Sequence, residues 1–230
     1  MKYFTTIFTV QLTSMTVKYS QDFAQRANLC KSKRCKECGL FLNQLPIFDE
    51  QKISNVFWVG LSAVQFQDDE EMQPLSPLTR SGALIHSIEA PYLDKISFYK
   101  TNIVKCVPLK EDKIRYPVEH EMEKCFPNFE LELSELKPTT VFLLGKQVAT
   151  FVLKKLSHAI PEFSQDFNYE PIKIGEVNFV PVHHPSFILV YKRKYIDSYI
   201  QNIQKLFMKQ QSVSKYKHRV VINECEFVCV

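Results

Sequence analysis

Four apolar runs, each followed by a helical pattern, constrain the fold of this chain most. They are "ISNVFWVGLSA" (53–63), "SFYKTNIVKC" (97–106), "TTVFLLG" (139–145) and "VNFVPVHHP" (177–185), all rich in β-branched and aromatic residues. A run that is apolar at successive rather than alternate positions reads as a strand buried on both faces, the situation of a parallel sheet. Between the runs, "SGALIHSIEA" (81–90) predicts a short helix, and 117–137 sets apolar residues at helical spacing with acids in its first turn. "KQVATFVLKKLSH" after Gly145, and 193–209 with Ile196, Ile200, Ile203 and Phe207 on one face, predict two further amphipathic helices. Strands alternating with helices imply an α/β fold: a three-layer sandwich with a central four-stranded parallel sheet flanked by helices. Ligands of such sheets bind beyond the carboxyl ends of the strands. The ends here are "GLSAVQ", "TNIVKC", "GKQ" and "HHPS", and their polar residues are expected to converge.

A chain of 230 residues, 45% of them hydrophobic, is long enough for one full core. We expect an N-terminal extension over 1–25, a single domain over 26–210 and a C-terminal tail over 211–230. The opening "MKYFTTIFTVQLTSMTV" is interrupted by five threonines, Gln11 and Ser14, which argues against a secretion signal. No run approaches the roughly 18 apolar residues of a membrane span. The formal charge of +4 permits nucleic-acid binding without requiring it. A cytoplasmic monomer is the expectation.

Seven cysteines, at 30, 35, 38, 106, 125, 225 and 229, form no compact disulfide framework and fit a reducing compartment. Cys35 and Cys38 stand two residues apart before Gly39, half of a metal site. A zinc ribbon would normally offer a second CxxC, which is absent; if the pair binds a metal centre its partners come from the remaining five cysteines, and unrelated core thiols are the alternative.

The CxxC-Gly-Leu stretch, then "YKTNIVKCVPLK", "EMEKCFPNFELELSELKPTTVFLLGKQVA" and "VPVHHPSFIL" together resemble the family 4 uracil-DNA glycosylases, the type that carries a [4Fe–4S] cluster. The similarity spans roughly 35–207. It implies that Cys35, Cys38, Cys106 and Cys125 ligate the cluster, as four thiolates can. It further implies a DNA partner, double- or single-stranded, and a monofunctional N-glycosylase that extrudes a nucleotide before cutting its glycosidic bond. His184 matches the histidine that donates to the carbonyl oxygen beside that bond, and His183 is the weaker neighbour. Asn102 matches the asparagine that reads the pairing edge of the base, and its amide suits uracil one way round and cytosine the other. Arg80, Ser186, Lys192 and Arg193 are implied DNA contacts, with Phe187, Ile188 and Leu189 as wedge candidates.

The first motif departs from that family. Where its members have Gly-Glu-Ala-Pro-Gly, this chain has Gly60, Leu61, Ser62, Ala63 and Val64. The pocket-shaping Glu is Leu61, and Ser62 takes the place of a water-activating Asp or Asn found in other branches. Further on, "SPLTRSG" puts Pro77 where an aromatic should stack on the base, so Phe66 is the substitute expected, with Gln65 beside it. The acidic "QDDEEMQ" (67–73) offers Asp68 and Asp69 as carboxylates that could hold a water or accept hydrogen bonds. The expected substrate is uracil or, since two walls are lost, a larger pyrimidine such as a 5-substituted or sugar-bearing cytosine, in repair or in defence against phage with modified DNA. A non-catalytic iron–sulfur DNA-binding module on the same fold is the alternative.

Overall fold

The structure, a computed structural model, describes residues 35–50, 52–66, 73–163 and 165–211. The expected extension over 1–25, the tail beyond Gln211, Cys30, Cys225, Cys229, Asp68 and Asp69 lie outside the described residues.

The four apolar runs form four parallel strands: β1 (Val56–Ser62), β2 (Phe98–Val104), β5 (Thr140–Leu144) and β7 (Val177–Val182). A fifth, β6 (Ile172–Ile174), pairs antiparallel with β7 at the edge, joined to it by the two-residue turn Gly175–Glu176. The order across the sheet is β2-β1-β5-β7-β6. A separate two-stranded hairpin, β3 (Leu109–Lys110) and β4 (Lys113–Ile114), follows β2. Glu111 and Asp112 at its tip both have positive φ, 51° and 58°, as a tight hairpin turn of the primed type requires.

Successive side chains of a strand point to opposite faces, and β1 divides its residues accordingly. Phe57 and Val59 enter a core with Phe126 and Phe129 of α2 (Glu119–Leu136) and Phe151 of α3 (Lys146–Lys155). Val56 and Trp58 enter a second core with Ile85 of α1 (Arg80–Glu89), Ile188 of α4 (Pro185–Tyr191), and Tyr199 and Phe207 of α5 (Ile196–Gln211). The result is three layers. In the second core Trp58 stacks on Phe142 at 4.6 Å, and Phe207 meets both rings edge-on at 6.2 and 5.7 Å. Aromatic pairs of this kind are worth about 0.5–1.5 kcal/mol each beyond the area they bury.

α2 runs unbroken through Pro127. An interior proline costs a helix about 3 kcal/mol, and burial of Met122, Cys125, Phe126, Phe129 and Leu136 along one stripe offsets it. No described helix is long and apolar enough to cross a membrane.

The chain passes from β1 outward to β2 and then back to β5 on the other side of β1. The reversal makes the carboxyl ends of β1 and β5 a topological switch point, where open α/β sheets form their ligand crevice.

Candidate base-binding cavity and cysteine centre

A cavity of about 570 Å³ opens at the carboxyl end of β1, between β2 and the start of α4. Gly60, Leu61 and Ser62 at the end of β1 line it, with Phe66, Asn102 of β2, and His184 and Ser186 at the start of α4. Gln65 is exposed and outside the lining, as are Arg80 at the first position of α1 and Arg193. Lys192 is half-buried. Ile188 is fully buried and Leu189 packs on the second core, so of the three wedge candidates Phe187 alone stands exposed. The end of β5 does not join the site. Lys146 and Gln147 instead line a separate depression of about 440 Å³ between α2 and α3.

Sequence reasoning missed several lining residues: Leu75, Ser76 and Thr79 ahead of α1, and Ile114, Arg115 and Tyr116 from the β3–β4 hairpin. It also missed Gln44, whose side chain donates to Val64 O (3.0 Å) and accepts from Phe66 N (3.1 Å). One amide thereby fixes the rewritten loop that carries Phe66. Among the described lining residues none is a carboxylate.

Gly60 and Asn102 are register partners across β1 and β2. A Cβ on Gly60 would overlap Asn102 Oδ1 and stand 3.3 Å from Leu75 Cδ2, so the amide lies directly over bare backbone. Gly60→Ala should leave the melting temperature within a few degrees, because only the end of one side chain must move. It should slow base release by roughly 5- to 150-fold, the equivalent of one bidentate base contact. Single-turnover kinetics beside a thermal melt checks both halves.

His184 is the N-cap of α4, and its Nδ1 accepts from Ser186 N at 3.1 Å. A backbone N–H can only donate, so the neutral ring carries its proton on Nε2. Burial holds the His184 pKa below its usual 6.5. His183 plays a different part. Its Nδ1 meets Tyr169 Oη at 3.0 Å, its carbonyl accepts from Tyr199 Oη at 2.9 Å, and Phe163, Phe167 and Phe187 surround its ring. It anchors the loop. Burial, then Lys192, holds its pKa down as well.

A histidine whose pKa is lowered by folding takes up its proton first in the unfolded chain. It therefore costs no stability well above pH 6.5 and subtracts stability as pH falls from about 6.5 through the lower folded value. His184→Gln removes one such contribution, so the drop in melting temperature between pH 7.5 and 5.5 should be smaller in that variant than in the parent.

The four sequence-expected cysteines occupy one neighbourhood. Gly39, with φ of 78°, turns the chain after Cys38 into a 3₁₀ turn, Leu40–Leu42, whose first residue plugs into the first core. Asn43 Nδ2 donates to Val107 O (2.9 Å) and Ile47 N to Lys105 O (2.9 Å), lashing this segment to the loop of Cys106. Asn128, one turn beyond Cys125 on α2, reaches both Cys125 Sγ (3.7 Å) and Cys35 Sγ (3.9 Å). Lys105 N points at Cys125 Sγ from 3.4 Å. Burial, and then Cys125, Cys38 and Cys35, push the Cys106 thiol up to about 12. Four thiolates so placed need a positive centre among them. No three His, Cys, Asp or Glu of the described residues converge as ligands of a single ion. A four-iron cluster instead gives each cysteine its own iron, and the donor set with its three N–H···S contacts fits such a group.

A buried network links this centre to the cavity. Lys105 Nζ, 1% exposed, binds Glu132 Oε2 (2.7 Å), Thr101 Oγ1 (2.7 Å) and the carbonyl of Asn102 (2.6 Å). Glu132 also accepts from Tyr99 Oη (3.0 Å) and Thr101 Oγ1 (2.9 Å).

The chain is 25% identical over 179 residues to the type-4 uracil-DNA glycosylase of Archaeoglobus fulgidus, covering 75% of this chain and 86% of that one. It also matches the crystal structure of wild-type Pedobacter heparinus SMUG2 with 13% identity and a TM-score of 0.48, over 69% of this chain and 76% of that one. The family model of the uracil DNA glycosylase superfamily matches residues 42–208. That span takes in the sheet, Gly60, Asn102 and His184, and the chain belongs to the uracil DNA glycosylase superfamily.

Proposed function

We propose that this protein is a DNA glycosylase that binds a flipped pyrimidine nucleotide in the cavity beyond β1 and hydrolyses its N-glycosidic bond, leaving an abasic site. The observation that carries this reading is the pairing, in one cavity, of an N–H donor on His184 with an amide on Asn102 that lies over Gly60. As the bond to the sugar stretches, the base gathers negative charge on the oxygen beside it. A fixed donor aimed at that oxygen is stronger in the transition state than in the ground state. Asn102 reads the pairing edge, Ser62 and the Asp68–Asp69 segment are the candidates for holding the water, and Arg80, Lys192 and Arg193 are the candidates for phosphate contacts. Leu61 and Phe66 complete the proposed surroundings of the base, Gln65 standing outside the cavity, and Ser186 holds His184.

The substrate is uracil or a 5-substituted or sugar-bearing cytosine. An open cavity of about 570 Å³, with no carboxylate at Leu61 and no aromatic at Pro77, supports the larger bases. Mass spectrometry of the bases released from uracil-containing DNA and from heavily modified phage-type DNA decides between them, and with it between repair and defence. The lack of a carboxylate among the described lining residues favours a second reading, an iron–sulfur DNA-binding module without activity. No base release and no alkali-labile site on either DNA would establish it.

Cys35, Cys38, Cys106 and Cys125 are proposed to hold a [4Fe–4S] cluster, which when bound supplies a structural brace. Iron and sulfide analysis of protein purified without oxygen should give four of each per chain by stoichiometry, about 4:4. Zinc alone would overturn the assignment. Cys125→Ala should abolish the cluster's visible absorbance.

A further inference from the structure

The aromatic that should stack on the base is missing from its expected place: Pro77 is exposed and lies outside the cavity lining. The β3–β4 hairpin offers another. Ile114 at the end of β4 and Tyr116, two residues on, both line the cavity. Tyr116 is 76% exposed, and its ring packs on no other ring among the described residues. An exposed aromatic face lining a cavity is a surface on which a base can stack.

The hairpin is also braced. Arg115 Nη1 donates to the carbonyl of Tyr116 (3.0 Å), its Nε donates to Leu109 O (3.2 Å), and both of its terminal nitrogens bind the carboxylate of Glu121. Glu121 in turn accepts from Val118 N at 2.9 Å, closing the start of α2. The backbone on both sides of Tyr116 is therefore fixed, and a fixed platform loses little entropy when a base settles on it. From this geometry we infer that Tyr116 supplies the face on which the flipped pyrimidine stacks, replacing the aromatic absent at Pro77. The inference rests on the glycosylase reading.

The test uses the full chain and a single-stranded oligonucleotide of adenines carrying one fluorescent pyrimidine, pyrrolocytosine, alongside base-release substrates in single- and double-stranded form. The parent protein and Tyr116→Phe should quench the fluorophore equally. Tyr116→Ala should lose that quenching and release base about 5- to 150-fold more slowly from both strand forms, the measured worth of stacking one base. Circular dichroism should show all three folded alike. Undiminished quenching by Tyr116→Ala, or its loss in Phe66→Ala instead, overturns the inference. So does a rate deficit confined to duplex substrate, which would make Tyr116 a wedge. A parent protein that quenches but releases no base defeats the glycosylase reading, while the quenching comparison still decides the role of Tyr116.

Discussion

Replacing His184 with alanine lowers the single-turnover rate of base release about 10²–10³-fold, the usual loss when one donor to a developing oxyanion is removed. The reasoning runs through the N-cap. Ser186 N occupies Nδ1 at 3.1 Å, which leaves Nε2–H as the free donor, and burial keeps the ring neutral. A neutral donor held by its N-cap hydrogen bond is already oriented before the bond begins to break, so it needs little reorganisation at the transition state. The substitution also removes a helix cap, at about 1 kcal/mol, too little to unfold the domain. Thermal melting therefore separates lost catalysis from lost fold. His184→Gln, which keeps an N–H on a side chain of similar reach, should recover part of the rate. A His184→Ala rate within threefold of the parent, as a rough threshold, would remove His184 from the mechanism.

Lys105→Met destabilises the protein by about 3–5 kcal/mol, the cost of leaving one member of a buried ion pair unpaired. Glu132 is fully buried, and burial already pushes its carboxyl up against the pull of Lys105, Thr101 and Tyr99. Without Lys105 the carboxylate must protonate or sit uncompensated, and the carbonyl of Asn102 loses its 2.6 Å donor. The double variant Lys105→Met, Glu132→Leu removes both charges and should regain most of the stability, since apolar replacements of buried pairs are often neutral. Urea unfolding of the four proteins gives the coupling energy by a double-mutant cycle. A single-variant cost below about 1 kcal/mol would show that the pair is not buried as described. The double variant should nonetheless release base more slowly than the parent, because Asn102 has lost its anchor.

The parts of the fold that were legible in the sequence are those whose physics is local. The four parallel strands are buried on both faces, so each reads as an unbroken apolar run. α3 and α5 are long enough for one apolar stripe to repeat. β6, three residues long at an edge, has no room for a pattern. The β3–β4 hairpin turns on Glu111–Asp112, both at positive φ, where the recognisable signature would be Asn-Gly or Asp-Gly. α4 is seven residues long, too short for an apolar stripe to repeat, and begins at Pro185 behind the His184 cap. With the hairpin unread, Arg115 and Tyr116 could not be connected to the site.

The sequence by itself determined the α/β class, the four central strands and, through resemblance, a short list of candidates: Asn102, His184 and the four cysteines. Which of these meet was decided by tertiary structure. Strand order β2-β1-β5-β7 lays Asn102 over Gly60 and brings the start of α4 to the same opening, while α2 carries Cys125 and Asn128 to the CxxC turn. Hydrophobic periodicity records which face of an element is buried, and it holds no information about which neighbour buries it. The rewritten loop at Gly60–Phe66 shows the difference most plainly. Its letters announce lost walls, and only the folded chain shows Gln44 holding it from one side and the Ile114–Tyr116 hairpin bounding the cavity with it.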